Sequence, residues 1–332
     1  MPKRALFPSV LAIVIAMAGM SFLPAGAGAA AATVTVGRSG VTGGALFGGN
    51  MGVQKIDSQL GRKLAVVRRY FRIGNKFPWP ADKALMSRGT TELASLDTTR
   101  YSYTSIAAGN HDASILSFLR SVNKAAVSYH LGAIYVSFQH EASNANHRRM
   151  GTPAEFVRAW DHVHHLAGNA HLNWNNGGRI HWVLILSWRT YLPMSVRTTW
   201  QKKAGWVGWY WPGASEVDIV GADGYDVAGC VASRTARKTV SPRYLFGYEL
   251  AWARNHGGLP VFVSEFGGNN KGSVQPDFVR SMQTYVAANH VIAAALYWSG
   301  RGRGTCNFTL TGTGITTLKA MGHTAAFAGH IG

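Results

Sequence analysis

The chain has 332 residues, with 33 Lys and Arg against 15 Asp and Glu, a formal charge of +18 and a pI near 10.3. The cations lie in short clusters such as Arg62-Lys63, Arg68-Arg69 and Arg148-Arg149, with no long basic tail or nucleic-acid motif. Such a charge favours anionic surfaces, nucleic acid or cell-wall polymers, but the dispersal of the cations and the lack of a motif make it a surface property and count against a nucleic-acid-binding function. After residue 23 no stretch is apolar for long enough to cross a membrane.

Lys3 and Arg4 precede an apolar run from Ala5 to Leu23, then Pro24 and the small-residue tract AGAGAAAA. That is the order a signal peptidase reads, so residues 1–32 are expected to be a cleaved export signal, cut between Ala25 and Ala32. The mature protein is then secreted and keeps no membrane insertion. Residues 33–44 are Gly- and Thr-rich and read as a flexible lead-in; residues 45–330 read as one domain.

Within that domain Ala45–Val53 is a first strand, followed by a short helix over Ser58–Ala65 and a second strand, Val66–Ile73, with basic residues on it. Phe77–Pro80 is a loop, since two prolines three apart fit neither a helix interior nor a central strand. Thr90–Thr98 is a third strand, and Ala113–Val122 has helical spacing. Ala133–Gln139 is the fourth strand. Its helix starts with Thr152 as N-cap, Pro153 at the first position and Glu155 closing a capping box, and ends at Gly168. Ile180–Trp188 is a fifth strand, apolar on both faces, and Val217–Tyr225 a sixth, with a helix from Ser241-Pro242 to about Asn255. Leu259–Ser264 is the seventh, Pro276 opens its helix, and Val291–Trp298 is the eighth. Strand then helix, repeated about eight times, predicts an α/β fold, a (β/α)8 TIM barrel.

Such barrels carry their chemistry at the C-terminal ends of the strands. Those ends present His140-Glu141, Trp188, Asp223, Tyr225, Glu265 and Trp298, with Asn144 just beyond the fourth and Trp211 in the aromatic loop WVGWYWPG beside the sixth. Aromatic rings suit sugar faces, and two carboxyls suit glycoside hydrolysis: Glu141 is assigned as acid/base and Glu265 as nucleophile, with Tyr225 oriented on Glu265 and His140 beside the acid. Asp226 is a better cleft candidate than Asp218, which begins its strand. Asp161, His162, His164 and His165 read as a solvated helix surface and not as a metal site. Ser187 and Ser264 lack a nucleophile elbow, which disfavours a serine hydrolase. Cys230 and Cys306, if paired, would tie the loop after the sixth strand to the loop after the eighth.

The pieces QHE at 139–141, YWPGASEVDIVGADGYD at 210–226, VSEFG at 263–267 and LYWSG at 296–300 resemble glycoside hydrolase family 26 of clan A, as does GRKLAVVRRYF at 61–71. The resemblance implies a retaining endo-β-glycosidase, β-1,4-mannan first and β-glucan or β-1,3-xylan as alternatives, without metal or organic cofactor. It places the acid/base on Glu141, the preceding His on His140, the nucleophile on Glu265, the Asp-x-Tyr pair on Asp223 and Tyr225, and the strand-eight Trp on Trp298. The chain departs from the family after the acid/base, where Ala-Ser-Asn-Ala-Asn-His replaces Met-Asn-Gly, and after Trp298, where Ser299 replaces Arg. The polysaccharide is the expected partner and a monomer the default state. A non-catalytic carbohydrate-binding protein on the same scaffold is the alternative from another class.

Overall fold

The computed structural model describes residues 37–198, 202, 205–230, 238–302 and 304–332; the expected export signal and residues 33–36 of the lead-in lie outside them. Eight parallel strands close into a barrel in sequence order: β1 (Leu46–Asn50), β2 (Val66–Arg72), β3 (Thr91–Asp97), β4 (Ile134–Phe138), β5 (Ile180–Ser187), β6 (Ile219–Asp226), β7 (Val261–Gly268) and β8 (Ile292–Tyr297). This is the (β/α)8 architecture expected from the alternation of elements. The longer helices among the described residues are α1 (Pro80–Met86), α2 (Asp112–Ser128), α3 (Pro153–Asn169), α4 (Pro242–Asn255), α5 (Val274–Ala287) and α6 (Thr313–Gly322).

Strand periodicity divides the core in two. Leu46, Val66, Leu93, Tyr135, Val183 and Phe262 point into the barrel, while their neighbours Phe47, Val67, Ala94, Val136, Leu184 and Val263 pack under the helices. Gly48 lies between Val66 and Leu296, where an added Cβ would come within 2.8 Å of both side chains, so the barrel interior is filled and not a pore. Beneath it, Val41–Thr42 pairs antiparallel with His330–Ile331, and Val41 and Ile331 pack against the inner core.

Local chemistry moved several boundaries. The first strand stops at Asn50, because its Oδ1 accepts from Gly52 N and Val53 N and starts a short helix at once. The expected Ser58–Ala65 helix is Asp57–Leu60, ended by Gly61 at φ +69°. Pro80 closes no loop but opens α1, being tolerated at the first helical position. The fifth crossover has only the turn Trp188–Tyr191 and short 3-10 pieces among its described residues, so the strand–helix alternation is weakest there. The capping box of α3 is formed by Thr152 and Glu155, while the helix runs one residue past Gly168. His164 is not solvated: it is buried on α3 and paired with Glu216, and His162 Nε2 lies 2.7 Å from Asp112 Oδ1.

Behind β2 the helix layer holds a buried ion pair. Arg69 Nη2 lies 2.6 Å from Asp82 Oδ1 on α1, both side chains almost wholly buried, and the guanidinium sits over the Trp79 ring at 5.1 Å. Glu92 on β3, fully buried, hydrogen-bonds Asp82 and also feels the Arg69 charge, so Arg69 serves two carboxyls and its removal strands both. Arg69→Met is expected to lower the unfolding free energy in urea by about 3–5 kcal/mol, and the triple variant Arg69→Met/Asp82→Ala/Glu92→Leu to recover most of that loss.

Candidate active site

The site is assembled from period-2 strands whose inward residues turn polar at the C-terminal end. On β2 the sequence VVRRYFR puts Val66, Arg68 and Tyr70 on the inner side and Val67, Arg69 and Phe71 under the helices. Arg68 is fully buried. Its Nη1 lies 2.7 Å from Asp223 Oδ1 and 3.0 Å from Glu265 Oε1, and its Nε donates to Ser95 Oγ at 3.1 Å. One guanidinium thus joins β2, β3, β6 and β7. Burial opposes its charge, but Asp223, Tyr70 and Glu265 outweigh that and hold its pKa well above the usual arginine value.

Glu265 reaches the mouth through a break in the pleat. Ala222 pairs with Val263, but Asp223 pairs with Glu265, so Ser264 is an extra residue on β7, and the pairing of β7 with β8 shifts at the same place. Before the break Phe262 points into the barrel; after it Phe266 packs outward against Phe278. Without the bulge, the alternation that puts Phe262 inside would put Glu265 under the helices. Its oxygens are met by donors: Tyr70 OH bonds Oε1 and Tyr225 OH bonds Oε2.

Glu141 is delivered by a strained turn. Gln139 and Glu141 both lie in the left-handed region, at φ +46° and +49°, a cost that non-glycine residues bear when the surroundings fix them. Gln139 Oε1 accepts from Thr98 N and Oγ1, each at 2.8 Å, and Glu141 N donates to Ile185 O at 2.8 Å. Beyond it the chain folds back: Asn144 Nδ2 donates to Glu141 Oε2 at 3.2 Å, and His147 Nδ1 lies 2.8 Å from Glu141 O. Burial first and the Glu265 carboxylate second raise the Glu141 pKa, against Asn144, Arg68 and Arg189. His140 packs edge-on against Tyr70 at 5.1 Å, and burial, Arg68 and His147 push its pKa well below the usual value, so it is neutral. Burial likewise raises Asp223, opposed by Arg68 and reinforced by Glu265 and Glu141.

Tyr225 is backed by an apolar cluster. Its ring stacks on Phe308 at 4.8 Å and meets Trp298 at 6.0 Å, and the disulfide between Cys230 and Cys306 packs into the same group. The loops after β6 and β8 are thereby joined behind the phenol that bonds Glu265.

Of the residues read from sequence, His140, Glu141, Asn144, Asp223, Tyr225 and Glu265 converge, with Trp298 against Tyr225. Trp188 begins a helical turn and packs on Tyr244 at 5.2 Å and under Arg189, forming wall. Trp211 is apart from the group: it packs against Trp252 and His256, near the C-terminal end of α4 and so toward the other end of the barrel. Asp226 is buried in loop closure, accepting from Ala228 N and Val240 N, and Asp218 accepts from Trp182 N and Trp174 Nε1. Arg68 and Tyr70 are the additions. Their signal was the inward parity they share with Val66.

No protein-family model matches the sequence, and no curated protein resembles it at a significant level. Solved structures do resemble it in fold. A modular endo-β-1,4-mannanase from Cellulomonas fimi is 16% identical with a TM-score of 0.57, over 89% of this chain and 76% of that one. A family-26 glycoside hydrolase from a Muricauda species is 12% identical with a TM-score of 0.59, over 89% of each chain. A family-128 endo-β-1,3-glucanase from Sorangium cellulosum is 14% identical with a TM-score of 0.50, over 84% and 97%. The likeness is to the barrel shared by both families and does not single out family 26.

Because Glu265 contributes to the raised Glu141 pKa after burial, deleting its charge removes only the second cause. Glu265→Gln is expected to lower the Glu141 pKa while leaving it above the ordinary glutamate value, as read by NMR titration of labelled glutamate side chains. An unchanged or higher value would show that the two carboxyls do not sense each other.

Proposed function

We propose that this chain is a secreted retaining endo-β-glycosidase of clan A type, with Glu141 as acid/base and Glu265 as nucleophile. The observation that carries the reading is the asymmetry between two neighbouring carboxyls. Glu141 is held toward its protonated form, while Glu265 is ringed by Arg68, Tyr70 and Tyr225, all donors. Unequal environments for two carboxyls are what divides acid from nucleophile.

In the first step Glu141 gives its proton to the glycosidic oxygen as the bond to the anomeric carbon breaks, and a Glu265 oxygen bonds that carbon from the opposite face. Tyr70 and Tyr225 hold both Glu265 oxygens, which orients the attack. In the second step Glu141, now a carboxylate, takes a proton from water, and the water oxygen displaces Glu265. Two inversions give net retention. Neutral His140, packed on Tyr70, keeps the acid's turn in place without adding a cation beside it.

The sequence motifs make β-1,4-mannan the first backbone to test, with β-glucan and β-1,3-xylan next; the altered residues after Glu141 and after Trp298 lie where family members meet the sugar. Reducing-sugar release from mannan, glucomannan, lichenan, laminarin and β-1,3- and β-1,4-xylan, beside Glu265→Ala, tests the chemistry. Release abolished by the variant supports the reading. Binding without release from any β-glycan, neutral or charged, by a folded wild type would replace it with a carbohydrate-binding role.

Glu141→Ala is expected to lose about 10²–10⁴-fold in kcat on natural linkages and far less on aryl glycosides whose leaving group needs no proton. Added azide should then yield the β-configured glycosyl azide; the α-anomer would contradict a covalent intermediate. The alkaline limb of kcat/KM reports the free acid. Activity falls as pH rises through the raised Glu141 pKa. Asn144 lowers that pKa by bonding the carboxylate, so Asn144→Ala is expected to move the limb to higher pH.

A further inference from the structure

The loops that leave the C-terminal ends of β2 to β8 hold an uneven share of the charge. Residues 73–79, 98–111, 142–152, 188–198, 227–241, 269–273 and 299–312 contain no Asp or Glu. They place the exposed cations Lys76, Arg100, Arg149, Lys238, Lys271 and Arg301 after β2, β3, β4, β6, β7 and β8. The acids that end strands on this rim are already engaged. Asp97 lies 3.9 Å from Arg72 Nε, and Asp226 is buried against two backbone N–H groups. Asp112, Glu155 and Asp277 stand in the first turns of α2, α3 and α5, at the same end of the barrel, and each is engaged too: Asp112 with His162, Glu155 in the capping box with Thr152, and Asp277 with Arg280.

Between the rim and the carboxyls of the floor stands one more cation. Arg189 follows β5, half-buried, with its guanidinium 5.0 Å above the Trp188 ring, and its charge acts on Glu141. Loops of one sign around a walled cleft focus the field toward its mouth. A neutral glycan makes no use of such a field. A polymer with an anion on many sugars passes several of these cations at once, and a guanidinium resting on an aromatic ring suits a planar carboxylate or a sulfate.

We propose that the glycan taken by this cleft is anionic: a β-linked polysaccharide bearing carboxylate or sulfate groups on a backbone of the mannan, glucan or xylan kind. This deepens the glycosidase reading and rests on it for cleavage, though not for binding.

The test pairs each charged polymer with its neutralised form. Poly-β-1,4-mannuronate, β-1,4-glucuronan and glucuronoxylan are compared with their carboxyl-reduced products, and sulfated laminarin with laminarin. The wild type is assayed for cleavage and Glu265→Ala for binding. The expected result is kcat/KM at least about tenfold higher on one charged member than on its partner, mostly through KM. That preference should fall about tenfold between 50 and 300 mM salt, as exposed charges are screened. Which pair responds separates a uronate from a sulfate ester. Lys76→Glu/Arg301→Glu should shrink the preference, and Lys76→Arg/Arg301→Lys should keep it. Equal cleavage or equal binding of charged and neutral forms, insensitive to salt, overturns the anionic substrate and leaves the glycosidase standing. Salt-sensitive binding of the charged form with no cleavage by the wild type overturns the glycosidase and leaves the anionic ligand standing.

Discussion

The site depends on one buried cation. Arg68 lies inside a barrel whose other inward residues are mostly apolar, and it stands between Asp223 and Glu265 with a hydrogen bond to Ser95. A guanidinium is suited to this because its charge survives burial and its donors point in fixed directions. Each neighbour is then constrained. Asp223 has a reason to face inward, Glu265 gains a counter-ion, and Tyr70, with Arg68 at 5.1 Å from its ring, is aimed at the same carboxyl. Replacing this cluster with hydrocarbon would give a barrel of comparable stability, since buried ion pairs seldom exceed a well-packed core. What the cluster supplies instead is a counter-ion and fixed donors for Glu265.

Departures from regular geometry gather at the same place. The bulge at Ser264 and the left-handed Gln139 and Glu141 are local costs at the mouth, and the bulge turns inward a carboxyl that regular alternation would send under the helices. The rigid parts hold them: Gln139 is tied to Thr98 on the β3 loop, Glu141 N to Ile185 on β5, and Tyr225 to the Phe308 and disulfide cluster. Strain at the mouth is thus borne by neighbouring strands, which is why it is compatible with an ordered barrel.

The barrel and its two glutamates were legible in the chain because both are written in local patterns: apolar runs of strand length, and a carboxyl at the end of two of them. What was not legible was set by tertiary contact. Arg68 and Tyr70 carried a parity signal, but nothing in the sequence says that a barrel closes them onto Glu265. The bulge has no sequence mark at all, since VFVSEFGG reads as plain alternation that would send Glu265 outward. Trp211 had the right composition around it and lies elsewhere, because a loop's residues fix its appetite for aromatic contact and not its path.

Two electrostatic layers follow, and solvent separates them. On the floor, Glu141, Asp223, Glu265 and Arg68 interact through protein with little water between, so burial and direct neighbours decide where protons sit. At the rim, the loop cations stand in water, where a charge is felt over about 8 Å at physiological salt. Positive charges at the rim act to lower the pKa of a buried acid below them, which would weaken Glu141 as a proton donor. Screening limits that effect, while burial, the first cause of the raised pKa, is untouched by salt. The rim can therefore be strongly basic without deprotonating Glu141, so that in the glycosidase proposed here selection of substrate and transfer of the proton fall to different residues.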